Sequence, residues 1–371
     1  MKVIISAAGT GGHINPGIAI ANKIKEKEPD SKIIFIGTNR GLENDLVPRA
    51  GYELKVIEAY GLKKEISFTN LKHIFQTIRS SKAVKKIIDE FKPDVVIGTG
   101  GYICGPVFAA ALSKKVPTVL HESNAYPGKA VKMFSRDVDL VLAGFEEAKT
   151  RLIDCKKVVV TGTPTKIKKI DINLTRKKEI LQEIGIKNDL PILLVFGGSQ
   201  GAQVINEAVF DMITKKLNKD YQIIWAAGQK QYDIIKEKFE KKNIYISSLE
   251  NVKVLPYIYN MEEMMNIADL MVCRSGAMTI TEVAIVGKPA IFIPLPSHSA
   301  NRQEDNARVL EKIGAAKIIL NKDLTAERLS EEIDDIILKK SELDEMGMLA
   351  NRIAPSDVEE KIYNEIKRIV K

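Results

Sequence analysis

Short apolar and β-branched runs alternate with stretches of helical period almost from end to end of the chain, the pattern of βαβ units laid on a parallel sheet. The first series of runs is Val3–Ala7, Ile33–Ile36, Leu54–Ile57, Val95–Ile97, Thr118–His121, Leu140–Ala143 and Val158–Val160. Helical stretches such as Pro16–Glu28, Phe68–Phe91 and Gly105–Lys114 lie between them. A polar, lysine-rich segment from Thr163 to Asn173, containing Pro164, lacks a clear period and reads as a domain boundary. A second series follows: Ile192–Phe196, Gln222–Trp225, Val252–Leu255, Leu270–Cys273, Ala290–Ile293 and Lys317–Leu320. The expected fold class is α/β, with two successive Rossmann-like, doubly wound parallel-sheet domains over residues 1–165 and 166–351. Residues 352–371, with Ser356 as candidate N-cap, read as an amphipathic helix whose stripe does not say which half it docks on. The absence of short-period repeats and low-complexity tracts removes solenoids and disordered nucleic-acid tails.

Composition adds three limits. A chain of 371 residues is long for one ordinary core and suits two. Lysine and arginine (56) outnumber aspartate and glutamate (48), a net charge of +8 that points to an anionic partner: nucleic acid, a phosphorylated metabolite or an acidic lipid surface. Three cysteines, Cys104, Cys155 and Cys273, without CxxC spacing, leave out a disulfide framework or thiolate zinc site and fit a reducing cytoplasm. No apolar run approaches the roughly 18–20 residues that cross a bilayer. Met1-Lys2 and the run Val3–Ala8 imitate a signal peptide, but Gly9-Thr-Gly-Gly-His13 breaks it too early for one.

Ligands of doubly wound sheets bind beyond the carboxyl ends of the strands, so the turns there carry the candidate chemistry. Three are rich in glycine: Ala8-Gly9-Thr10-Gly11-Gly12-His13-Ile14-Asn15-Pro16, Gly197-Gly198-Ser199-Gln200-Gly201-Ala202 and Cys273-Arg274-Ser275-Gly276-Ala277-Met278-Thr279. Bare N–H groups and a helix N-terminus favour phosphate, and in the first turn Asn15 as N-cap with Pro16 as the first helical residue would start that helix. A dinucleotide fingerprint fails here, because Ile14 stands where the third glycine should be and the second run ends Gly37-Thr38-Asn39-Arg40 without an acidic residue. Arg40 keeps NADP as a remote alternative, and no Walker A sequence is present.

Taken in order, Gly9-Thr-Gly-Gly-His13, His121-Glu-Ser-Asn124, Gly197-Gly-Ser-Gln-Gly-Ala202, Arg274-Ser-Gly-Ala-Met-Thr279 with Glu282, and Gln303-Glu-Asp-Asn-Ala307 form a specific set. On these motifs the chain resembles, over nearly its whole length, the MurG family, the undecaprenyldiphospho-muramoylpentapeptide β-N-acetylglucosaminyltransferases of bacterial peptidoglycan synthesis. The resemblance implies a GT-B fold, two Rossmann-like domains facing each other across a cleft. The donor UDP-N-acetylglucosamine would be held mainly by the C-terminal half and the lipid-linked acceptor by the N-terminal half. The reaction implied converts lipid I to lipid II with inversion at the anomeric carbon, in cell wall biosynthesis. Carried onto this chain, Thr10, Gly11 and Gly12 match a loop near the donor sugar and the acceptor diphosphate. Asn124 matches a sugar contact, Ser199 a residue near the donor phosphate, and Ile258 the backbone position that reads uracil. Ala277, Met278, Thr279, Ile280, Thr281 and Glu282 match the segment that holds diphosphate and ribose, and Gln303 a sugar-hydroxyl contact. Two positions depart from the family: Ala8 replaces a frequent glycine, and Lys166 stands where arginine is common, keeping the charge but not the two-pronged donor.

His13 is the candidate general base, since the acceptor hydroxyl must lose a proton as it attacks and imidazole titrates in the useful range. The bland alternative is a polar residue satisfying helix N–H groups. His121, ending an apolar run, reads better as a hydrogen-bonded structural histidine, His298 as a loop residue and His73 as a surface one. Glu282 suits a ribose clamp better than acid chemistry, and Met261, Met264 and Met265 read as core. Asp137-Val138-Asp139 formally matches a metal-binding DxD but precedes a strand, opposite the ligand edge, so no metal and no cofactor is expected. Leaving UDP would then be stabilised by helix N-termini with Arg274 or Lys166 nearby. Between Tyr60 and Lys92, basic residues Lys63, Lys64, Lys72, Arg79, Lys82, Lys85, Lys86 and Lys92 face only Glu65, Asp89 and Glu90, with Leu71, Ile74, Phe75 and Ile78 at helical spacing. Such a stretch fits peripheral contact with an anionic leaflet at the cytoplasmic face of the cell membrane, or an ordinary amphipathic helix. Nucleic acid is not expected, for want of interleaved aromatics. Two other function classes stay open on the residues alone, an NADP-linked oxidoreductase and a non-catalytic nucleotide-sugar sensor.

Overall fold

The computed structural model describes residues 1–59, 68–186, 190–198, 200–218, 220–296 and 302–370, with the backbone alone for 68–78. The chain divides into two compact units, Met1–Thr165 with Pro355–Lys371, and Lys166–Ala354. In the first, seven strands, β1 (Lys2–Ser6), β2 (Lys32–Gly37), β3 (Glu53–Val56), β4 (Val95–Gly98), β5 (Thr118–Glu122), β6 (Leu140–Ala143) and β7 (Val158–Val160), form one sheet in the order β3-β2-β1-β4-β5-β6-β7. In the second, β8 (Ile192–Phe196), β9 (Gln222–Ala226), β10 (Val252–Leu255), β11 (Leu270–Cys273), β12 (Ala290–Phe292) and β13 (Ala316–Ile318) take the order β10-β9-β8-β11-β12-β13. Every pairing in both sheets is parallel. Both orders reverse direction once, between β1 and β4 and between β8 and β11, and these are the switch points where doubly wound folds place ligands.

Parallel strands are covered by helices on both faces, which is why the runs are apolar throughout rather than alternating. In the first unit Ile4, Ile34, Ile36, Val96, Leu120 and Val141 pack one face against Val84 and Ile88 of the helix Phe68–Phe91 and against Val107 and Phe108 of the helix Cys104–Ser113. Their neighbours Val3, Ile5, Phe35, Val95, Ile97 and Val119 pack the other face against Ile14, Ala21 and Ile24 of the helix Gly11–Lys27. In the second unit Leu193, Val195, Ile223, Trp225 and Val272 bury against the helices Gln203–Thr214 and Ala326–Ile337.

The terminal helix Val358–Ile369 docks on the first unit, inserting Val358, Ile362 and Ile366 beside the helix Gly11–Lys27. Polar contacts fix its register: Tyr363 donates to Glu28 Oε1 at 2.9 Å, Lys367 pairs with Glu28 at 2.7 Å, and Lys157 with Glu365 at 2.5 Å. Two expectations are corrected here. Asp357 rather than Ser356 is the N-cap, with a left-handed backbone at φ 52° and no side-chain cap bond. Residues 352–354 stay with the second unit, because Arg352 still closes the helix Lys340–Arg352.

Two consequences for stability can be measured. Ile362→Ala, at a position 1% exposed, is expected to cost about 2–5 kcal/mol in urea or thermal unfolding. His121 is fully buried, and burial lowers its pKa from 6.5 to about 4 despite the Gly162 carbonyl that accepts from it. A base whose folded pKa lies below the unfolded one contributes full stability above about pH 6.5 and loses it as pH falls toward 4, by at most roughly 3 kcal/mol. His121→Gln should therefore flatten the melting-temperature profile over that window, and an unchanged slope would remove His121 as its source.

Candidate active site

At the carboxyl end of β1 the chain passes through Ala7, Ala8 and Gly9 into the helix Gly11–Lys27, whose N-cap is Thr10. This corrects the assignment of Asn15 and Pro16 as cap and first residue. His13 and Ile14 already donate to the Thr10 carbonyl, at 3.0 and 3.2 Å, so Pro16 lies inside the helix and forfeits only the bond to residue 12. Among the described residues the Gly11 and Gly12 N–H groups have no acceptor in the chain, and Thr10 and Gly12 are exposed. They form the N–H-bearing first turn of a 17-residue helix, a ready anion site.

His13 is fixed by the loop after the neighbouring strand β4. Thr99 Oγ1 donates to the His13 carbonyl at 2.6 Å. The imidazole lies against Gly100, where φ is +108° and a Cβ would come within 2.7 Å of the ring's Cδ2, so no larger residue fits. On the other side, the loop after β2 supplies a residue that the sequence did not single out. Glu43, with no exposed surface, accepts from the Gly9 N–H (2.9 Å), the Thr38 N–H (2.9 Å) and Thr38 Oγ1 (2.7 Å), while the Leu42 N–H donates to the Gly9 carbonyl (3.3 Å). Its polar surroundings, Asn39 to Asp45, disguise it as a surface acid. The one available signal was an acidic residue in the first turn of a helix that directly follows a strand. Arg40 donates to the Ala59 carbonyl at 2.6 Å and so serves the packing of this loop.

Asn124 follows β5, beyond β4 in the sheet. Its N–H and Nδ2 both donate to Glu122 Oε1 at 2.9 Å, and Glu122 Oε2 accepts from the Gly128 N–H at 2.5 Å, so a buried carboxylate folds this turn too. His121 is held by Gly162 and Ser123, inside the core. The Asp139 carboxylate accepts from the Thr118 N–H and hydroxyl and pairs with Lys156 at 3.2 Å, at the amino ends of β5 and β6, so its contacts are structural.

In the second unit the matched residues follow four strands along the carboxyl edge: Ile258 after β10, the second glycine turn after β8, Ala277–Glu282 after β11 and Gln303 beyond β12. Ser199 lies outside the described residues, as does His298. The turn that carries Ser199 is closed by Gly201, at φ +76°, where a Cβ would stand 2.1 Å from the Ala227 carbonyl oxygen. Ile258 is buried, and the rings of its sequence neighbours Tyr257 and Tyr259 meet edge to face with centroids 5.0 Å apart. The helix Ala277–Val286 starts at Gly276, and Ala277, Met278 and Thr279 present its first N–H groups. Ile280 and Thr281 turn into the core, with the Thr281 hydroxyl donating to the Ala277 carbonyl, so that part of the segment packs rather than faces solvent. Glu282 is half-buried one turn further on. Arg274, whose pKa burial lowers, gives one guanidinium nitrogen to the Ile293 carbonyl and Asn321 Oδ1, both at 2.9 Å, tying the ends of β12 and β13. Gln303 Oε1 accepts from the Leu295 N–H at 2.9 Å. Lys166 is exposed. A hollow of about 760 Å³ in this unit, lined by Pro191, Asp269, Lys288 and Pro289, opens at the amino ends of β8, β11 and β12, the edge opposite the turns that follow these strands.

Residues 3–143 match the glycosyltransferase family 28 N-terminal domain and residues 192–362 its C-terminal domain. The chain is 43% identical, over 100% of its length and 99% of the relative's, to the UDP-N-acetylglucosamine–N-acetylmuramyl-(pentapeptide) pyrophosphoryl-undecaprenol N-acetylglucosamine transferase of Acetivibrio thermocellus. It is also 43% identical to the protein of the same name from a Thermoanaerobacter species, over the whole of both chains. The crystal structure of Acinetobacter baumannii MurG superposes with a TM-score of 0.77 at 28% identity, covering 99% of each chain. A Neisseria meningitidis UDP-GlcNAc 2-epimerase at 17% identity shares the fold, with a TM-score of 0.65. Full-length identity above 40% with such transferases, together with both family domains, shows that this chain belongs to the MurG family of GT-B glycosyltransferases.

Proposed function

We infer that the protein transfers N-acetylglucosamine from UDP-N-acetylglucosamine to undecaprenyl-diphospho-N-acetylmuramyl-pentapeptide, lipid I, giving lipid II for peptidoglycan. The observation that carries this reading is the pair of helix N-termini at the two switch points, Gly11–Gly12 after β1 and Ala277–Thr279 after β11, in a chain related end to end to transferases of that name. Two diphosphates take part in the reaction, one in the donor and one in the acceptor. Each N-terminus offers N–H groups that have no acceptor among the described residues, and a positive dipole end, to an anion.

In the proposed mechanism the acceptor hydroxyl attacks the anomeric carbon of the donor sugar from the face opposite UDP, so the configuration inverts. The new C–O bond forms as the bond to the β-phosphate breaks, its electron pair leaving with UDP. The hydroxyl proton passes to the His13 imidazole, which Thr99 and Gly100 hold in place. Charge developing on UDP is met by the Ala277–Thr279 N–H groups, without a metal or cofactor. Glu282 bonds the ribose hydroxyls, the Ile258 backbone reads the uracil, and Asn124 and Gln303 contact the sugar. Ser199 and Lys166 serve the donor phosphates.

A lipid-linked acceptor requires the protein to meet the cytoplasmic face of the membrane. No described helix is long and apolar enough to cross one, so the contact proposed is peripheral. Lys63, Lys64 and Glu65, and the side chains of Leu71, Lys72, Ile74, Phe75 and Ile78, lie outside the described residues. The described remainder of that helix buries Val84 and Ile88 and exposes Arg79, Lys82 and Lys86 along with Asp89 and Glu90, Lys86 lying 3.8 Å from Glu90, so its outer face is mixed with a small basic excess.

Purified protein given UDP-N-acetylglucosamine and a lipid I analogue in EDTA should release UDP. His13→Ala should lower kcat by about 10²–10⁴-fold with little change in donor KM, and an undiminished kcat would exclude His13 as the base. In a flotation assay the protein should rise with anionic vesicles and stay down with neutral ones, because each lysine near the surface contributes about 1 kcal/mol. Equal flotation on both, or none, would remove the outer face of the helix Phe68–Phe91 as the membrane contact.

A further inference from the structure

The loop that carries His13 is held by a carboxylate from the loop after β2. Glu43 is fully buried, and the groups bonded to it are neutral: the Gly9 N–H, the Thr38 N–H and the Thr38 hydroxyl. A buried charge of this kind is costly unless each lone pair is used. Burial pushes the Glu43 pKa up, yet the bonds from Gly9 and Thr38 outweigh it and hold the carboxyl below its usual value, so it stays ionised. The surroundings are shaped to it. A Cβ at Gly41 would stand 2.0 Å from Glu43 Oε2, and one at Gly37 would stand 2.7 Å from its Cγ.

A carboxylate that only capped its own short helix, Glu43–Arg49, would need none of this. Here one oxygen reaches 34 residues back along the sequence to the peptide just before Thr10. Leu42 N–H takes the carbonyl of the same residue, so Gly9 is gripped at both its polar groups by the first turn of one helix. Thr38 Oγ1 lies 3.4 Å from the Tyr102 hydroxyl, which connects this grip to the loop whose Gly100 backs the His13 ring.

We propose that Glu43 is a positioning residue for the transfer: its carboxylate, bonded to the Gly9 peptide, sets the Thr10–His13 loop so that His13 meets the acceptor hydroxyl and only Gly11 and Gly12 are left to bind anion. This rests on the reading of His13 given above. It also assigns the Gly9 N–H to the protein itself, although Gly9 belongs to the same glycine-rich turn.

Glu43→Gln keeps the size but turns one oxygen into a donor, which cannot accept from both Gly9 and Thr38. It should lower kcat by about 10²-fold, the scale of a misplaced catalytic group, leave donor KM unchanged, and speed hydrogen exchange of the amides from residue 9 to 13. Thr38→Val, which removes one donor and adds no new one, should show a smaller loss of the same kind, and it carries the test should Glu43→Gln not fold. Val47→Ala in the same helix, buried but remote from these bonds, supplies the control: it should lower the melting temperature and keep kcat. Wild-type kcat in Glu43→Gln, or an equal loss of kcat in Val47→Ala at matched stability, would overturn the proposal. If His13→Ala were fully active the base assignment would fall, whereas an inactive His13→Ala beside a fully active Glu43→Gln would sink this inference alone.

Discussion

Burying both faces of a parallel sheet is the constraint from which the other features follow. With helices on each side, the inner strands have no solvent face, and their polar side chains are accommodated mainly at the strand ends, whereas the edge strand β3 is largely exposed. Many buried polar residues of the first unit lie there: Ser6 ends β1, Thr38 and Glu43 follow β2, Thr99 follows β4, and His121, Glu122 and Ser123 end or follow β5. Glu43, Thr99 and His121 bond backbone of a neighbouring loop, and Glu122 bonds backbone of its own. The carboxyl edge is therefore cross-braced, and a loop that would otherwise be the most mobile part of the fold is held from two sides.

The bracing has an electrostatic character suited to anionic ligands. Glu43 and Glu122 are satisfied by N–H and hydroxyl donors, and those donors are consequently unavailable to phosphate. What stays available is the start of the helix, where N–H groups without an acceptor among the described residues and the dipole act together. In the second unit Arg274 follows the same logic with opposite sign, spending part of its guanidinium on the ends of β12 and β13. Charged residues near such a site thus divide into those that shape it and those that face the ligand, and the sequence alone does not separate the two.

That division marks how far the sequence could be read. All thirteen strands were legible, because burial on both faces leaves uninterrupted apolar runs such as Val95–Ile97 and Leu270–Cys273; β1, β3 and β13 each start a residue earlier than expected, at Lys2, Glu53 and Ala316. The first helix start was misread because Pro16 has the appearance of a first helical residue, whereas Gly11 and Gly12 already adopt the helix. Glu43 was invisible because its partners are backbone atoms distant in sequence. The terminal helix showed an amphipathic stripe, which states that a partner exists without naming it.

That helix has one more consequence. Since Pro355–Lys371 completes the unit begun by Met1–Thr165, the second unit is, in the order of the chain, an insertion within the first. A ribosome delivering this polypeptide emits all of Lys166–Ala354 before the segment that covers the helix Gly11–Lys27. The inserted unit can thus reach its native state while the earlier one still lacks Val358, Ile362 and Ile366 beside the helix Gly11–Lys27, and the unit synthesised first is the last to be finished.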